Sequence, residues 1–562
     1  MITRAAITTW LLHALFAALL LLLAVRTLRS PLSEFGDGRE YVLQTQSIVF
    51  DQTLAVHPDR RAQYFNETNP FGVTLKPDGV EVPDQEAQGE ERQFGGKFGS
   101  LYLSRDGSFR YIHSWVYSLA AAPAYALLHM LTPAPGEYLA FRVLNIAALF
   151  FPLLLMWRLR PSAATLLFVA VLFASPITPH LQFAHPEVFC LGCVLASFVG
   201  IQIRWARPLS PLLLGIGAAQ NVPIALFFPL HMWLMWREEN ILRGGMSLRA
   251  AARAFAPYGV AAIFPAAALA YNLNHFGTLN LIAQLGQADF AYLSLRKMAS
   301  VFVSPMIGCL WYMPASWLAL VVALAARQYR IAFFFSLSVL AVATLSSTTA
   351  NINSAQLSAC RYAVWYLGPL YLLPFLLPAG LPSSTRRREA IAWLAGLSLV
   401  TLVWAQLGTW RFLLGESYRF FSSQRAVPEV AALYRFSHFH DDVEPLVENV
   451  TGREIPVAHR FRGIYVWNLG KGESLWVVSQ RAMATDSSLE VRSEADLAGS
   501  ESLNRSFSVS RTEDSNLYRL TIRPDAQFAR HPYLGGYLML WVNSQVLGAR
   551  SEAPVAIKSQ LN

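Results

Sequence analysis

The stretch Glu34-Phe35-Gly36-Asp37-Gly38-Arg39-Glu40-Tyr41 sets carboxylates, a cation and a phenol just past the first long apolar run. A carboxylate held where a helix leaves a bilayer sits beside lipid head groups. It can take a proton from a hydroxyl while a lipid tail stays buried. Glycines on either side of Asp37 let the backbone turn tightly there. From Tyr41 on, Tyr41, Val42, Thr45, Ile48 and Val49 share one helical stripe, so the sequence predicts a helix lying along the membrane. The plain alternative is a solvated exit turn after a transmembrane helix.

Groups able to do chemistry recur far along the chain. Lys97, Arg105, Asp106, Arg110 and His113 close a long polar loop. His185 and Glu187 flank a proline in a short loop, and Asn351, Asn353, Arg361 and Tyr362 belong to a late one. Together they offer a carboxylate base for a hydroxyl, a second carboxylate or imidazole to orient an acceptor or hold a divalent ion, and cations to stabilise a phosphate leaving group. Each also has a structural reading. Asp37 reads as a turn residue, Glu187 after Pro186 as a helix cap, His185 as a structural histidine, Arg361 as an interface anchor and Lys97 as a solvated charge.

The elements that must position these groups are membrane helices. The 562 residues are 54% hydrophobic and only 14% charged, with a mean hydropathy of +0.34, against roughly 25% charged in soluble domains. The net charge of +9 does not signal nucleic acid, because much of the surplus sits in short loops between apolar runs, where it sets topology. Cys190, Cys193, Cys309 and Cys360 all lie in or beside apolar segments, which excludes a disulfide framework. Cys190 and Cys193 form a C-x-x-C inside an apolar helix, which favours small-residue packing over redox chemistry.

Ile7 to Val25 is long enough to span a bilayer and has no clear cleavage site after it, so it reads as a retained signal anchor. Ser30 to Tyr111 is a long polar loop, and His113 to Met130 is apolar but interrupted by Pro123. Later spans are expected over Tyr138 to Trp157, Ala163 to Thr178, Val188 to Ile203, two short pieces of Leu209 to Trp236 meeting at Gln220-Asn221-Val222-Pro223, Phe255 to Leu273, Met306 to Ala326, Ile331 to Leu345, Tyr362 to Leu377 and Ala390 to Leu407. With the arginine-rich loops placed on the cytoplasmic side, the alternation closes only if His113 to Met130 is a surface helix. Arg26 and Arg29 argue locally for the opposite orientation and are outvoted by the later loops.

The expected fold is therefore mainly α, a polytopic membrane helical bundle of about 11 transmembrane helices. The Asp37 loop and the chain after Leu407 fall on the extracytoplasmic side. Residues 1–409 form the transmembrane domain, with a large first outer loop over 26–137. Residues 410–562 hold a juxtamembrane segment and a β-rich domain. Within the latter, Leu475 to Val478, Ser488 to Val491, Ser506 to Val509, Tyr518 to Ile522 and Tyr537 to Val546 read as the strands of a small β-sandwich.

An acid just after span one (Gly36-Asp37, with Tyr41 beyond), a helix entered through Tyr111-Ile112-His113-Ser114-Trp115, a second acid in His185-Pro186-Glu187 and the pair Arg361-Tyr362 opening a late span share a layout. In it the chain resembles the GT-C class of integral-membrane glycosyltransferases, which use polyprenyl-phosphate-linked sugars, and is similar to bacterial aminoarabinose transferases and protein mannosyltransferases. The resemblance covers roughly Met1 to Leu407. Members often carry Asp-Glu together at the first acid; here Gly38 follows Asp37 and Glu40 comes later, and the second acid is Glu where Asp is common.

The resemblance implies an inverting transfer on the outer face of a membrane, the inner membrane of a bacterium. A sugar would pass from a polyprenyl-phosphate donor to a glycan, lipid or protein acceptor. Asp37 is the implied general base, with Glu40 as the other candidate. Glu187 and His185 would hold the acceptor or a divalent metal ion. Arg361, with Lys97, would neutralise the departing lipid phosphate, and Glu40, His113 and Tyr362 would line the substrate site. The rivals are a lipid or glycan transporter or flippase, for which the polar break at Gln220 to Pro223 is the best argument, and a lipid-linked glycan ligase.

Overall fold

The computed structural model describes residues 4–30, 38–56, 97–98, 101–132, 136–173, 175–243, 248–284, 288–290, 293–304, 307–325, 328–349 and 361–376, and eight strands between 459 and 542. Helix α1 runs Arg4–Arg29, uninterrupted through its apolar stretch to the basic pair Arg26 and Arg29 in its last turn. Helix α2 covers Gly38–Phe50. Three short strands follow, β1 (Lys97–Phe98), β2 (Leu101–Leu103) and β3 (Phe109–Tyr111), paired antiparallel in chain order. The next helices are α3 (Val116–Leu131, with Pro123 inside), α4 (Leu139–Leu159), α5 (Ala163–Phe173), the single turn α6 (Ile177–His180) and α7 (Glu187–Gly200).

Helix α8 (Ser210–Gln220) stops where Asn221 turns extended ahead of Pro223. Pro223 has no amide hydrogen to offer the Ala219 carbonyl, which accepts from the Ser114 hydroxyl instead. A 3-10 turn over Val222–Phe227 then leads into α9 (Phe228–Arg243). Helix α10 is long, Leu248–Phe276, and is followed by the turn α11 (Leu281–Gln284). Helix α12 (Leu295–Val303) is capped by Ser294, whose hydroxyl accepts from the Lys297 amide at 3.0 Å. The described bundle closes with α13 (Cys309–Tyr312), α14 (Pro314–Ala325), α15 (Tyr329–Ser346), α16 (Ala363–Tyr366) and α17 (Gly368–Leu376).

Among the described residues, four helices are long and apolar enough to cross a membrane: Ile7–Arg29, Leu139–Leu159, Ala254–Phe276 and Tyr329–Ser346. The chain is an integral membrane protein by these helices. Other expected spans are shorter or interrupted. Ala163 to Thr178 resolves into α5 and α6. Met306 to Ala326 is split before Pro314, which has no amide hydrogen to continue a ladder. Ala390 to Leu407 lies outside the described residues.

The bundle core gathers α4, α7, α8 and α10 by close backbone approach. A side chain at Gly192 would strike the Ala148 carbonyl, and one at Gly215 the Ala261 carbonyl. Small residues at such crossings let helices meet where hydrophobic burial alone does not drive association in lipid. Towards the C-terminus the expected strands recur as part of β4 (His459–Phe461), β5 (Ile464–Asn468), β6 (Leu475–Ser479), β7 (Ser488–Arg492), β8 (Phe507–Arg511), β9 (Leu517–Ile522), β10 (Ala529–Arg530) and β11 (Leu538–Val542). They make two antiparallel sheets, ordered β10-β11-β6-β5-β4 and β7-β9-β8. The segment Arg411 to Asp442 lies outside the described residues.

Candidate functional site

The first acid stretch enters the structure at Gly38, where α2 begins. A Cβ there would sit 3.6 Å from the Ala184 Cβ and 3.5 Å from the Tyr138 ring. The start of α2 is thus packed against the residue that precedes His185. Helix α2 leaves no face open over its first three turns, where its stripe suggested one apolar face. It is buried all round from Gly38 to Ser47. Helix α3 covers one side, with Tyr41 edge-on to Tyr117 at 5.2 Å and the Gln46 amide donating to the Tyr125 hydroxyl at 2.9 Å. Leu43 packs with Val56 and Tyr111 on another.

Two charged clusters meet this frame. In the first, the Arg361 Nε lies 3.1 Å from Glu187 Oε1, its Nη1 is 3.2 Å from His185 Nδ1, and its Nη2 donates to the Tyr362 hydroxyl at 3.3 Å. The guanidinium also stands over the Tyr362 ring at 5.2 Å. His185 Nδ1 is 4.0 Å from Glu187 Oε2, an oxygen that is buried and receives no hydrogen bond. His185 and Arg361 are 176 residues apart in sequence. In the second cluster, His113 Nε2 lies 3.5 Å from Glu40 Oε2, and the His113 ring is 5.7 Å from that of Tyr41. Tyr41 and Tyr117 join the two: Tyr117 packs on Phe189, in the first turns of α7, at 5.7 Å.

The sequence-predicted residues thus fall into three groups. Glu187, His185, Arg361 and Tyr362 come together, and Glu40 and His113 form a neighbouring pair. Asp37 lies outside the described residues, joined in the chain to Gly38. Lys97 opens β1 opposite Tyr102, and its side chain lies outside them too.

Sequence reasoning did not single out Tyr117 and Asn145 as parts of the site frame. The Tyr117 hydroxyl donates to Asn145 Oδ1 at 3.0 Å, and Asn145 Nδ2 donates to the Phe183 carbonyl at 2.8 Å. A lone amide in the apolar run Tyr138 to Trp157 was the signal. The polar break after α8 serves the same frame. Gln220 Oε1 accepts from the Tyr117 amide at 2.7 Å, its Nε2 reaches the Tyr41 hydroxyl at 3.5 Å, and the Ser114 hydroxyl donates to the Ala219 carbonyl at 2.9 Å.

Chemically, the first cluster sets a fixed cation beside a carboxylate and an imidazole in a dry place. Low dielectric strengthens such contacts, and a phosphate or developing oxyanion would feel the guanidinium strongly. A metal ion fits the described residues poorly. Among them no group of three or more His, Cys, Asp or Glu is placed to hold one, and the Arg361 guanidinium already stands against both Glu187 and His185.

No protein-family model and no curated protein matches the sequence. Among solved structures, the chain is similar to the crystal structure of ArnT from Cupriavidus metallidurans bound to undecaprenyl phosphate, at 13% sequence identity and a TM-score of 0.38, over 80% of this chain and 77% of that one. A likeness that distant assigns no role to any residue.

Proposed function

We propose that the chain is a membrane glycosyltransferase that moves a sugar from a polyprenyl-phosphate donor to a hydroxyl of a glycan, lipid or protein acceptor. One observation carries this reading: a buried Arg361 meets Glu187, His185 and Tyr362, and Gly38, the residue after Asp37, packs on Ala184, the residue before His185. In the proposed step Asp37 takes the acceptor hydroxyl proton, and the acceptor oxygen attacks the anomeric carbon. The bond from that carbon to the phosphate oxygen breaks with inversion, and the polyprenyl phosphate leaves with the electron pair. Arg361 offsets the charge that grows on that phosphate. Glu187 and His185 hold the guanidinium and orient the acceptor; Glu40 and His113 contact the substrate, and Lys97 is a second cation for the phosphate. The outer face of a cell lacks nucleotide sugars, so an extracytoplasmic site with this chemistry takes an activated sugar carried on lipid, in a bacterial inner membrane.

The flippase reading loses its best support. A transporter's broken helix presents unwound backbone to a cargo, whereas here Gln220 and the Ala219 carbonyl are bound to Tyr117, Tyr41 and Ser114. The test is purified protein in lipid nanodiscs given either a polyprenyl-phosphate sugar from a panel or the matching nucleotide sugar. Transfer with release of polyprenyl phosphate is expected from the lipid donor alone. Transfer from the nucleotide sugar, with none from any lipid form, overturns the proposal.

A further inference from the structure

The polar groups around α2 do more than line the site. Helix α1 ends at Arg29, with Ser30 just after it, and α2 begins at Gly38. Both ends of that short link are tied to one place. The Arg142 Nη1 donates to the Ser30 carbonyl at 2.7 Å and its Nε to the Gln182 carbonyl at 3.2 Å, while the Ser30 hydroxyl donates to Gln182 Oε1 at 2.9 Å. At the other end Arg39 forms an ion pair with Glu137, and Gly38 packs on Tyr138 and Ala184. These partners belong to the start of α4 (Glu137, Tyr138, Arg142) and to the loop Gln182 to Ala184, which runs straight into His185 and Glu187. Arg39, Arg142 and Gln182 are all buried.

We propose that Arg39, Glu137 and Arg142 are positioning residues: two arginine staples that hold the end of α1 and the start of α2 against the loop carrying His185 and Glu187. The inference rests on the transferase reading for its effect on rate, though not for its effect on structure. Both helix ends are pinned to one frame, and a catalytic group misplaced by about 1 Å can cost on the order of 10²-fold in rate. Arg142 serves the exit of α1 and Arg39 the entry of α2. Arg39 is the better probe, because its partner is a side chain and the pair can be exchanged.

The experiment uses the full-length protein in nanodiscs with three variants: Arg39→Glu, Glu137→Arg and the exchange Arg39→Glu with Glu137→Arg. Hydrogen exchange of the peptide over Gly38 to Leu43 is read without substrate. Turnover is read with the polyprenyl-phosphate sugar that the unaltered protein accepts. Each single variant should exchange faster over that peptide and lose about 10- to 100-fold in kcat, with KM for the donor within about twofold; the exchanged pair should restore both. Glu137→Gln keeps the side-chain shape, and should shift both readouts the same way, less far, where a charge reversal does not fold. Wild-type exchange in the single variants, or faster exchange with unchanged kcat, or a rate loss that the exchanged pair does not rescue, each overturns the staple. If the unaltered protein transfers no sugar, the transferase reading fails by itself, and the exchange arm still decides whether the staple exists.

Discussion

Two regions of the molecule use the same residue types and differ in what surrounds them. In the candidate site Arg361 stands over Tyr362 and faces Glu187 and His185. At the far end of α10, Arg110 stands 5.5 Å from the Tyr271 ring and faces Asp106, and Asp106 lies 3.3 Å from His275. Each is an arginine, a tyrosine, a carboxylate and a histidine. The Glu187 side chain is 3% exposed and that of Asp106 is 45% exposed. Asp106 is saturated by the Ser104 and Ser108 hydroxyls, the Ser108 amide and Arg110. Glu187 keeps one oxygen without a donor. The solvated, saturated cluster clasps the β2–β3 turn to a helix end; the dry one keeps a carboxylate oxygen for an added donor to fill. Residue types alone do not separate a clasp from a site; burial and unfilled hydrogen-bonding capacity do.

The comparison is broken most directly by altering the base proposed for the buried region. Asp37→Asn keeps size and removes proton abstraction, so transfer should fall by about 10²–10⁴-fold, as for loss of a general base. Normal turnover in a folded Asp37→Asn protein would remove Asp37 and send the search to Glu40→Gln. The next effect is on stability. Removing one partner of a buried ion pair leaves the other charge dry and uncompensated, at about 3–5 kcal/mol. Arg361→Met should therefore lower the thermal midpoint sharply, while Arg361→Met with Glu187→Gln should regain most of it and still transfer no sugar. An Arg361→Met protein as stable as the parent would show that the pair is not desolvated.

How much of this was readable beforehand follows from what each signal encodes. The long helices were legible because length and apolarity specify them locally, and the break after Gln220 because Pro223 acts on its neighbours. The strands β6 to β9 and β11 have 5 or 6 residues, alternating in β7 and β8 and continuously apolar in β6 and β11, which is long enough to read. The sheet β1–β3 is not, with strands of 2 or 3 residues, below the length at which a period can be counted. The site's residue types were legible; their partners were not. Nothing local says that Arg361 meets Glu187 and not a lipid phosphate directly, or that Arg39 reaches back to Glu137. The full burial of α2 was hidden for the same reason: a stripe reports one apolar face, whereas Arg39, Gln44 and Gln46 are covered by elements distant in sequence.

The smallest effect is expected at the exposed clasp, and it sharpens the comparison by its sign. Hydrogen bonds from Ser104 and Ser108, aided by Arg110, outweigh partial burial and hold the Asp106 carboxyl well below the usual carboxylate range. The folded protein then binds this proton less tightly than the unfolded chain, whose aspartates titrate at about 3.9. The stabilisation is complete above that value and is lost as pH falls below it towards the folded pKa. Nearly half of the side chain faces solvent, so screening keeps the contribution within about 1 kcal/mol. Asp106→Asn turns an amide towards Arg110 and His275, where the carboxylate accepted. Its thermal midpoint should lie slightly below the parent's at pH 7, and the gap should narrow on acidification below about pH 4 as the parent loses its own carboxylate. Transfer should be unaffected, because the clasp holds the β2–β3 turn and its hydrogen bonds and ion pairs, among the described residues, run to Ser104, Ser108, Arg110, Tyr271 and His275. A folded Asp106→Asn protein that has lost transfer would join the two clusters into one site, and the contrast between a saturated carboxylate and a buried one with an unfilled oxygen would fall.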